Sequence, residues 1–249
     1  MKRLYLASVL LTLAACATPL PQTPPAGVSA QVPAPQIRPG DEWTYSVRDG
    51  FTGLTRPAVR HRVTEAAGDR VVVAVTREGT PAEEVQVYDG RWNWLKHPAT
   101  NMQVFEYSPA YQAFAFPLTA GANWQARSTA TDPATGKRFP VRIDGTVLGW
   151  ERVRVPAGEF DALKVRRVVF LNYFEPSVRE HSEIIETEWY APAVKQAVRR
   201  ETTSRYMSFL HGGIEPGFMR VRGGRGDGSA PRMTQDDWLI YELTNHRTR

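Results

Sequence analysis

The sequence predicts a mainly β fold, a single antiparallel sheet behind an extended N-terminal segment. Three observations predict it. Short runs of alternating apolar and polar residues recur along the chain from residue 42 to residue 243, separated by Gly, Pro, Asp and Asn. No long stretch carries the apolar spacing of an amphipathic helix. The segment 17–39 is so rich in proline, alanine and glutamine that it has too little apolar surface to fold alone.

Residues 1–15 come first. Lys2 and Arg3 precede an apolar run from Leu4 to Ala15, and Ala14 and Ala15 precede Cys16. A positive start, a short apolar core and a small-residue exit form a secretory signal. The run is about 12 residues, against the roughly 20 that cross a bilayer, so it is not a lasting membrane span. Cys16 is the only cysteine in the chain. Once it is modified, no thiol remains for a disulfide, a nucleophile or a metal site.

Removing Lys2 and Arg3 lowers the net charge from +5 to +3. The basic residues are dispersed rather than clustered, which argues against a nucleic-acid partner. Prolines at 19, 21, 24, 25, 33, 35 and 39 make 16–39 a disordered tether, extended at ~3.1 Å per residue and reaching roughly 70 Å. The competing reading is a docking site for a proline-binding partner.

The folded domain is expected at 40–249, roughly 210 residues and ample for one core. Glu42 to Arg48 places Trp43, Tyr45 and Val47 on one face of a strand. Val59 to Glu65 and Arg70 to Arg77 are two more strands. Glu84 to Tyr88 and Trp92 to Lys96 flank the turn Asp89-Gly-Arg91, and Gln103 to Tyr107 follows. Tyr107 to Pro117 holds four aromatic residues and two prolines, which suits an aromatic loop or edge strand capping the sheet. Gly121-Ala-Asn-Trp124 then echoes Gly40-Asp-Glu-Trp43, so each half opens with a turn, a tryptophan and a strand.

Arg138 to Leu148 and Glu151 to Val155 flank a break at Gly149-Trp150. Ala162 to Phe174 pairs with Arg179 to Tyr190, in a register that sets Arg167 opposite Glu186. Glu183 to Trp189 alternates imperfectly and has a helical alternative, but strong β-formers flank it. Val194 to Thr203 continues the meander, Phe209 to Met233 is Gly-rich and irregular, and Trp238 to Leu243 closes the sheet. His246 to Arg249 frays.

Leu13-Ala-Ala-Cys16 resembles the lipobox of bacterial lipoproteins, whose cysteine is lipidated and becomes the mature N-terminus. That resemblance implies lipidation at Cys16. Ala17, where an aspartate marks inner-membrane retention in enterobacteria, implies the outer membrane, with the domain facing the periplasm. Val153-Arg-Val-Pro-Ala-Gly-Glu-Phe-Asp-Ala-Leu-Lys-Val165 and Trp189-Tyr-Ala-Pro-Ala-Val-Lys-Gln-Ala-Val-Arg199 resemble a pattern in uncharacterised bacterial envelope proteins. The resemblance implies an open, curved antiparallel sheet or half barrel, similar to envelope lipoprotein carriers. It lends fold and compartment but no catalytic residues. Ala193 departs from the glycine many relatives carry after the proline.

Seven tryptophans and nine tyrosines must fill or line the concave side of such a sheet. In a tightly closed sheet they are core. In an open one, Trp43, Tyr45, Trp124, Phe160, Trp189 and Tyr190 are the candidate ligand-binding residues for an apolar ligand. The other candidate chemistry is sparse. His61, His97, His181, His211 and His246 show no metal-ligand spacing, and no cofactor is expected. His181 beside Glu180 and Glu183 could form a base and its orienting carboxylate, but no nucleophile elbow accompanies it. Glu180, Glu183, Glu186 and Glu188 read instead as a solvated strand face paired to Arg166, Arg167 or Arg179. Gly223 to Gly228 lacks the strand, helix and lysine of a phosphate loop.

The expected function is therefore non-enzymatic. It is a membrane-anchored envelope lipoprotein whose β domain binds an apolar ligand or an envelope protein partner. The alternatives are a pure interaction module engaging partners through a sheet edge or the 209–233 loop, and, further off, a hydrolase.

Overall fold

Alternation of this kind buries every second side chain, and here it repeats through twelve strands in a computed structural model describing residues 20–100, 103–173, 180–208 and 232–249. The first six are β1 (Glu42–Asp49), β2 (Thr55–Ala67), β3 (Arg70–Arg77), β4 (Glu83–Asp89), β5 (Trp94–Pro98) and β6 (Val104–Tyr111). The second six are β7 (Asn123–Thr131), β8 (Arg138–Val155), β9 (Gly158–Leu171), β10 (Glu180–Ala191), β11 (Gln196–Ser208) and β12 (Arg232–Arg247). Each pairs antiparallel with the next, and Glu183 to Trp189 lies within strand β10.

The sheet is not an open half barrel. It closes. β1 pairs with β2 on one side and with β12 on the other, from Glu42 opposite Arg247 to Asp49 opposite Leu239. The physical reason lies in β12. It spans 16 residues, starting at Arg232, rather than the short Trp238–Leu243 run that its apolar pattern marks. That length lets it pair along all of β1 and most of β11. Closure satisfies the backbone groups that two edges would expose. It also removes the free edge through which an interaction module would add a strand.

Inward residues form one core, with Trp43, Phe105, Ile143, Leu163 and Leu243 fully buried. The outer face carries ion pairs: Arg60 to Glu42 at 2.6 Å, Arg142 to Asp144 at 3.1 Å and Arg205 to Glu183 at 2.8 Å. Each such charge near the midplane of a bilayer would cost about 2–4 kcal/mol for an arginine. This exterior therefore suits water rather than lipid. Among the described residues no helix is long and apolar enough to cross a membrane.

The echo between the halves has a structural basis. Asp41 N–H donates to Arg38 carbonyl and Ala122 N–H to Thr119 carbonyl, closing the same tight turn twice. Gly40 and Gly121, at φ +88° and +82°, then donate to Val63 and Val147. Each turn feeds a strand whose tryptophan, Trp43 or Trp124, packs with the core.

One end of the barrel is stoppered. After Tyr111 the chain turns inward and buries Ala113, Phe114 and Leu118. Val32 and Leu118 exchange backbone hydrogen bonds at 2.9 and 2.8 Å, with Val32 itself buried. The Pro-rich segment is therefore not a free tether from residue 20 onward. Gln22 Nε2 donates to Leu148 carbonyl, and Trp150 N–H donates to Pro21 carbonyl at 2.8 Å. This contact also explains why β8 runs on through Gly149 instead of breaking there. A bulge at Val147 and Gly149 sets Gly149 at φ +141°, and a side chain at that position would lie 2.8 Å from Pro21 carbonyl. Proline suits the strap because it needs no ladder partner of its own, while Val28, Val32 and Ile37 supply its apolar contacts. The signal segment, Cys16 and the 209–231 loop lie outside the described residues.

Candidate functional site

The other end is where β1–β2, β3–β4 and β5–β6 connect. A cavity of about 460 Å³ lies there, with Val47, Val59, Val75 and Leu239 on its apolar side. Arg56, Arg77 and Glu84 stand on its wall near these connections. Deeper in, an aromatic lobe of about 40 Å³ lies among Tyr45, Tyr88, Trp92, Trp94 and Phe114. His61, His97, Arg200 and Tyr241 line both spaces and join them.

Arg167 and Arg200 both face the interior, and their surroundings differ. Arg167 on β9 is fully buried. Its Nε donates to Glu186 Oε2 at 2.8 Å, its Nη1 to Ala113 carbonyl at 2.9 Å, and its Nη2 to Glu188. Tyr111 Oη donates to the same Glu186 oxygen at 2.9 Å. Glu186 and Glu188 are each 5% exposed. The carboxylates raise the Arg167 pKa despite its burial. The cross-strand register of Arg167 against Glu186 is as the sequence suggests. The solvated-face reading fails for Glu186 and Glu188, because β10 directs residues 182, 184, 186, 188 and 190 into the barrel. Glu183, of the opposite parity, does pair outside, with Arg205.

Arg200 on β11 has no such satisfaction. Among the described residues it makes no hydrogen bond and no ion pair, and its Nε is buried without a partner. Its guanidinium stacks over the Tyr241 ring at 4.2 Å, its cross-strand neighbour. Desolvation works against its charge, but Tyr241 and the carboxylates of Glu188 and Glu186 outweigh it and raise its pKa. A permanent cation thus faces the cavity with unused donors.

The two histidines beside it are neutral. Burial, then Arg200 and Arg77, lower the pKa of His61 to about 3. Burial and Arg200 likewise hold His97 well below the ordinary range. His97 stacks on Trp94 at 3.8 Å, and its Nδ1 meets Pro98 carbonyl at 2.7 Å, which assigns the proton to Nδ1. Trp94 is sandwiched on its other side by Tyr111 at 4.1 Å. Tyr88 stacks on Trp92 at 4.3 Å and donates to Gln86, and Tyr45 donates to Ala197 carbonyl. Sulfur-free, aromatic and partly polar, this lining suits a ligand with an apolar body and one polar end.

The six aromatic candidates do not converge. Tyr45 lines the inner lobe. Trp43 donates to Val194 carbonyl, and Tyr190 packs against Phe114 and Phe116, both as filled core towards the stoppered end. Trp124 covers Gly145 and donates to Gln112 carbonyl. Phe160 contacts His246 near the β8–β9 turn. Trp189 lies on the outer face beneath Lys164 and Arg199, donating to Glu151. Among the lining residues that sequence reasoning missed are Trp92, Trp94, His61, His97 and Arg200. The inward parity of β2, β5 and β11 was the available signal for the last three.

His181 is exposed, at φ +41°, and its described hydrogen-bond partner is Asn172 at 2.9 Å, not a carboxylate. Among the described residues no group of three His, Cys, Asp or Glu side chains is placed to hold a metal ion.

Fold and cavity together define a closed twelve-stranded antiparallel barrel, stoppered at one end and hollow towards the other. No family model matches the chain, and no curated protein does. Solved structures are similar at low identity. A candidate lipoprotein from Parabacteroides distasonis is 14% identical over 87% of this chain and 99% of its own, with a TM-score of 0.48. A candidate exported protein with a YmcC-like fold, from Bacteroides fragilis, is 15% identical over 88% and 100%, with a TM-score of 0.46. The hypothetical lipoprotein YmcC from Escherichia coli is 9% identical over 84% and 85%, with a TM-score of 0.37.

Proposed function

We propose that this chain is a lipid-anchored lipoprotein of the bacterial outer membrane, facing the periplasm, whose barrel binds a small apolar or amphipathic molecule in its interior without catalysis. The observation that carries the binding role is the cavity of about 460 Å³ inside the barrel. It falls within the roughly 300–1,000 Å³ range of small-molecule sites. The anchoring role rests on Leu13-Ala-Ala-Cys16. Only a few residues separate Cys16 from Leu20, a span of at most about 14 Å. Because Leu20 and Pro21 dock beside Gly149, the anchor enters at the stoppered end. On this reading the cavity end points away from the membrane, towards the periplasm.

Two measurements test this reading. In cells fed labelled palmitate, the wild-type chain is expected to take up label and Cys16→Ala to take up none. Label in Cys16→Ala, or none in the wild type, overturns the anchor. Full-length protein released from its native membranes in mild detergent is expected to carry one small molecule in native mass spectra. Thr202→Trp, which fills the cavity from a buried inward position, is expected to lose it. A wild-type protein that is empty in its native host overturns the binding role.

A further inference from the structure

The cavity contains one feature that an apolar ligand alone leaves unexplained, the Arg200 side chain. A buried guanidinium is costly unless its donors are met. The same barrel shows how it meets them elsewhere: Arg167 engages two carboxylates and a carbonyl. Arg200 lies in the next tier of the interior, with no carboxylate within ion-pairing distance among the described residues and with an orphaned Nε. Glu186 and Glu188 both accept hydrogen bonds from Arg167, and Glu186 Oε2 also accepts from Tyr111, although Glu188 is the cross-strand neighbour of Arg200. His61 and His97 add no charge, since both are neutral. Nearer the strand ends, Arg77 is matched by Glu84 at 3.3 Å and Arg56 by Asp49 at 2.9 Å. Among the described residues Arg200 is thus a cation of this cavity without a hydrogen bond or ion pair, although Glu188 stands opposite it across the strand pair, and it sits where the larger space and the aromatic lobe meet.

Resting on the binding role proposed above, we infer that the cavity takes an amphipathic monocarboxylate, its headgroup paired to the Arg200 guanidinium and its alkyl body against Val47, Val59, Val75 and Leu239. A planar carboxylate matches the two-donor fork of a guanidinium. Tyr241 holds the guanidinium from its face, and among the described residues no hydrogen bond occupies its Nη1 or Nη2, the two donors such a pair would use. The apolar residues named come from β1, β2, β3 and β12, around the space beside Arg200.

The test uses the full-length chain in lipid nanodiscs, with empty nanodiscs as the blank. Carboxyl-labelled octanoate is titrated and followed by its carboxyl resonance, and octanol, its neutral counterpart, is titrated by calorimetry. Saturable octanoate binding, at least about tenfold tighter than octanol, is expected. Arg200→Gln is expected to weaken octanoate about tenfold and octanol by a much smaller factor. Octanol binding as tightly as octanoate overturns the carboxylate assignment and leaves the cavity reading standing. Octanoate binding unaltered in Arg200→Gln overturns it too. Saturable binding of neither probe overturns both. The comparison of the two probes on the wild-type chain stands even where the variant does not fold.

Discussion

Arg167→Met is expected to destabilise the barrel by about 3–5 kcal/mol, because it strands two buried carboxylates. Glu186 and Glu188 are 5% exposed and direct their oxygens at the guanidinium. With the arginine gone, each must either stay charged in a low-dielectric interior or take up a proton. Ala113 carbonyl also loses its donor. The loss is a large part of the roughly 5–15 kcal/mol that holds a typical domain together. It is measured as the shift in urea midpoint of the full-length chain at pH 7.

The same physics predicts a rescue. Adding Glu186→Gln and Glu188→Gln to Arg167→Met removes the stranded charges, and the amide introduced in place of the Glu186 carboxylate keeps an acceptor for Tyr111 Oη. The triple variant is expected to regain most of the lost stability, since a buried ion network contributes little net stability beyond neutral groups of similar shape. A single variant within about 1 kcal/mol of wild type would show that the network is not buried as described. A triple variant no better than the single one would assign the loss to packing of the arginine stem against Phe114 and Trp94 instead.

Much of the fold was legible from alternation. β1, β3 and β4 fall within a residue or so of their sequence patterns, because one face of each is apolar and the period is two. The Arg167–Glu186 register was legible for a related reason: opposite charges at matching positions on consecutive strands select one alignment. Closure was not legible. Whether β12 reaches β1 depends on sixteen residues pairing at long range, and only the central six look like a strand. Nor was the docking of the strap legible. Composition predicts that residues 20–39 cannot fold alone, and they do not; they borrow Leu118 and the β8 bulge. The site was hidden by the same limit. Glutamates at alternate positions look alike whether the face they share is wet or buried, and the difference is set by a partner arginine on another strand. Arg200 carried no sequence signal of its own beyond lying two residues before Thr202, another inward position.

The cavity histidines make a second large effect, in acid. His61 is held at a pKa of about 3 and His97 well below its ordinary range, both first by burial and then by Arg200. In the unfolded chain each titrates near 6.5. The unfolded state therefore binds more protons below that value, and stability falls as pH drops through 6.5 towards the folded-state value. Between pH 7 and pH 5 each histidine is expected to remove about 2 kcal/mol. Carboxylates with lowered pKa, such as Asp49 at about 2, lose their contribution only at lower pH, so this window isolates the histidines. Denaturation midpoints of the full-length chain at pH 7, 6 and 5 check the slope, and His61→Gln is expected to reduce it by about half. A midpoint flat across the window would mean that both imidazoles titrate freely, and hence that the cavity is far wetter than its lining of Tyr45, Tyr88 and Trp94 implies.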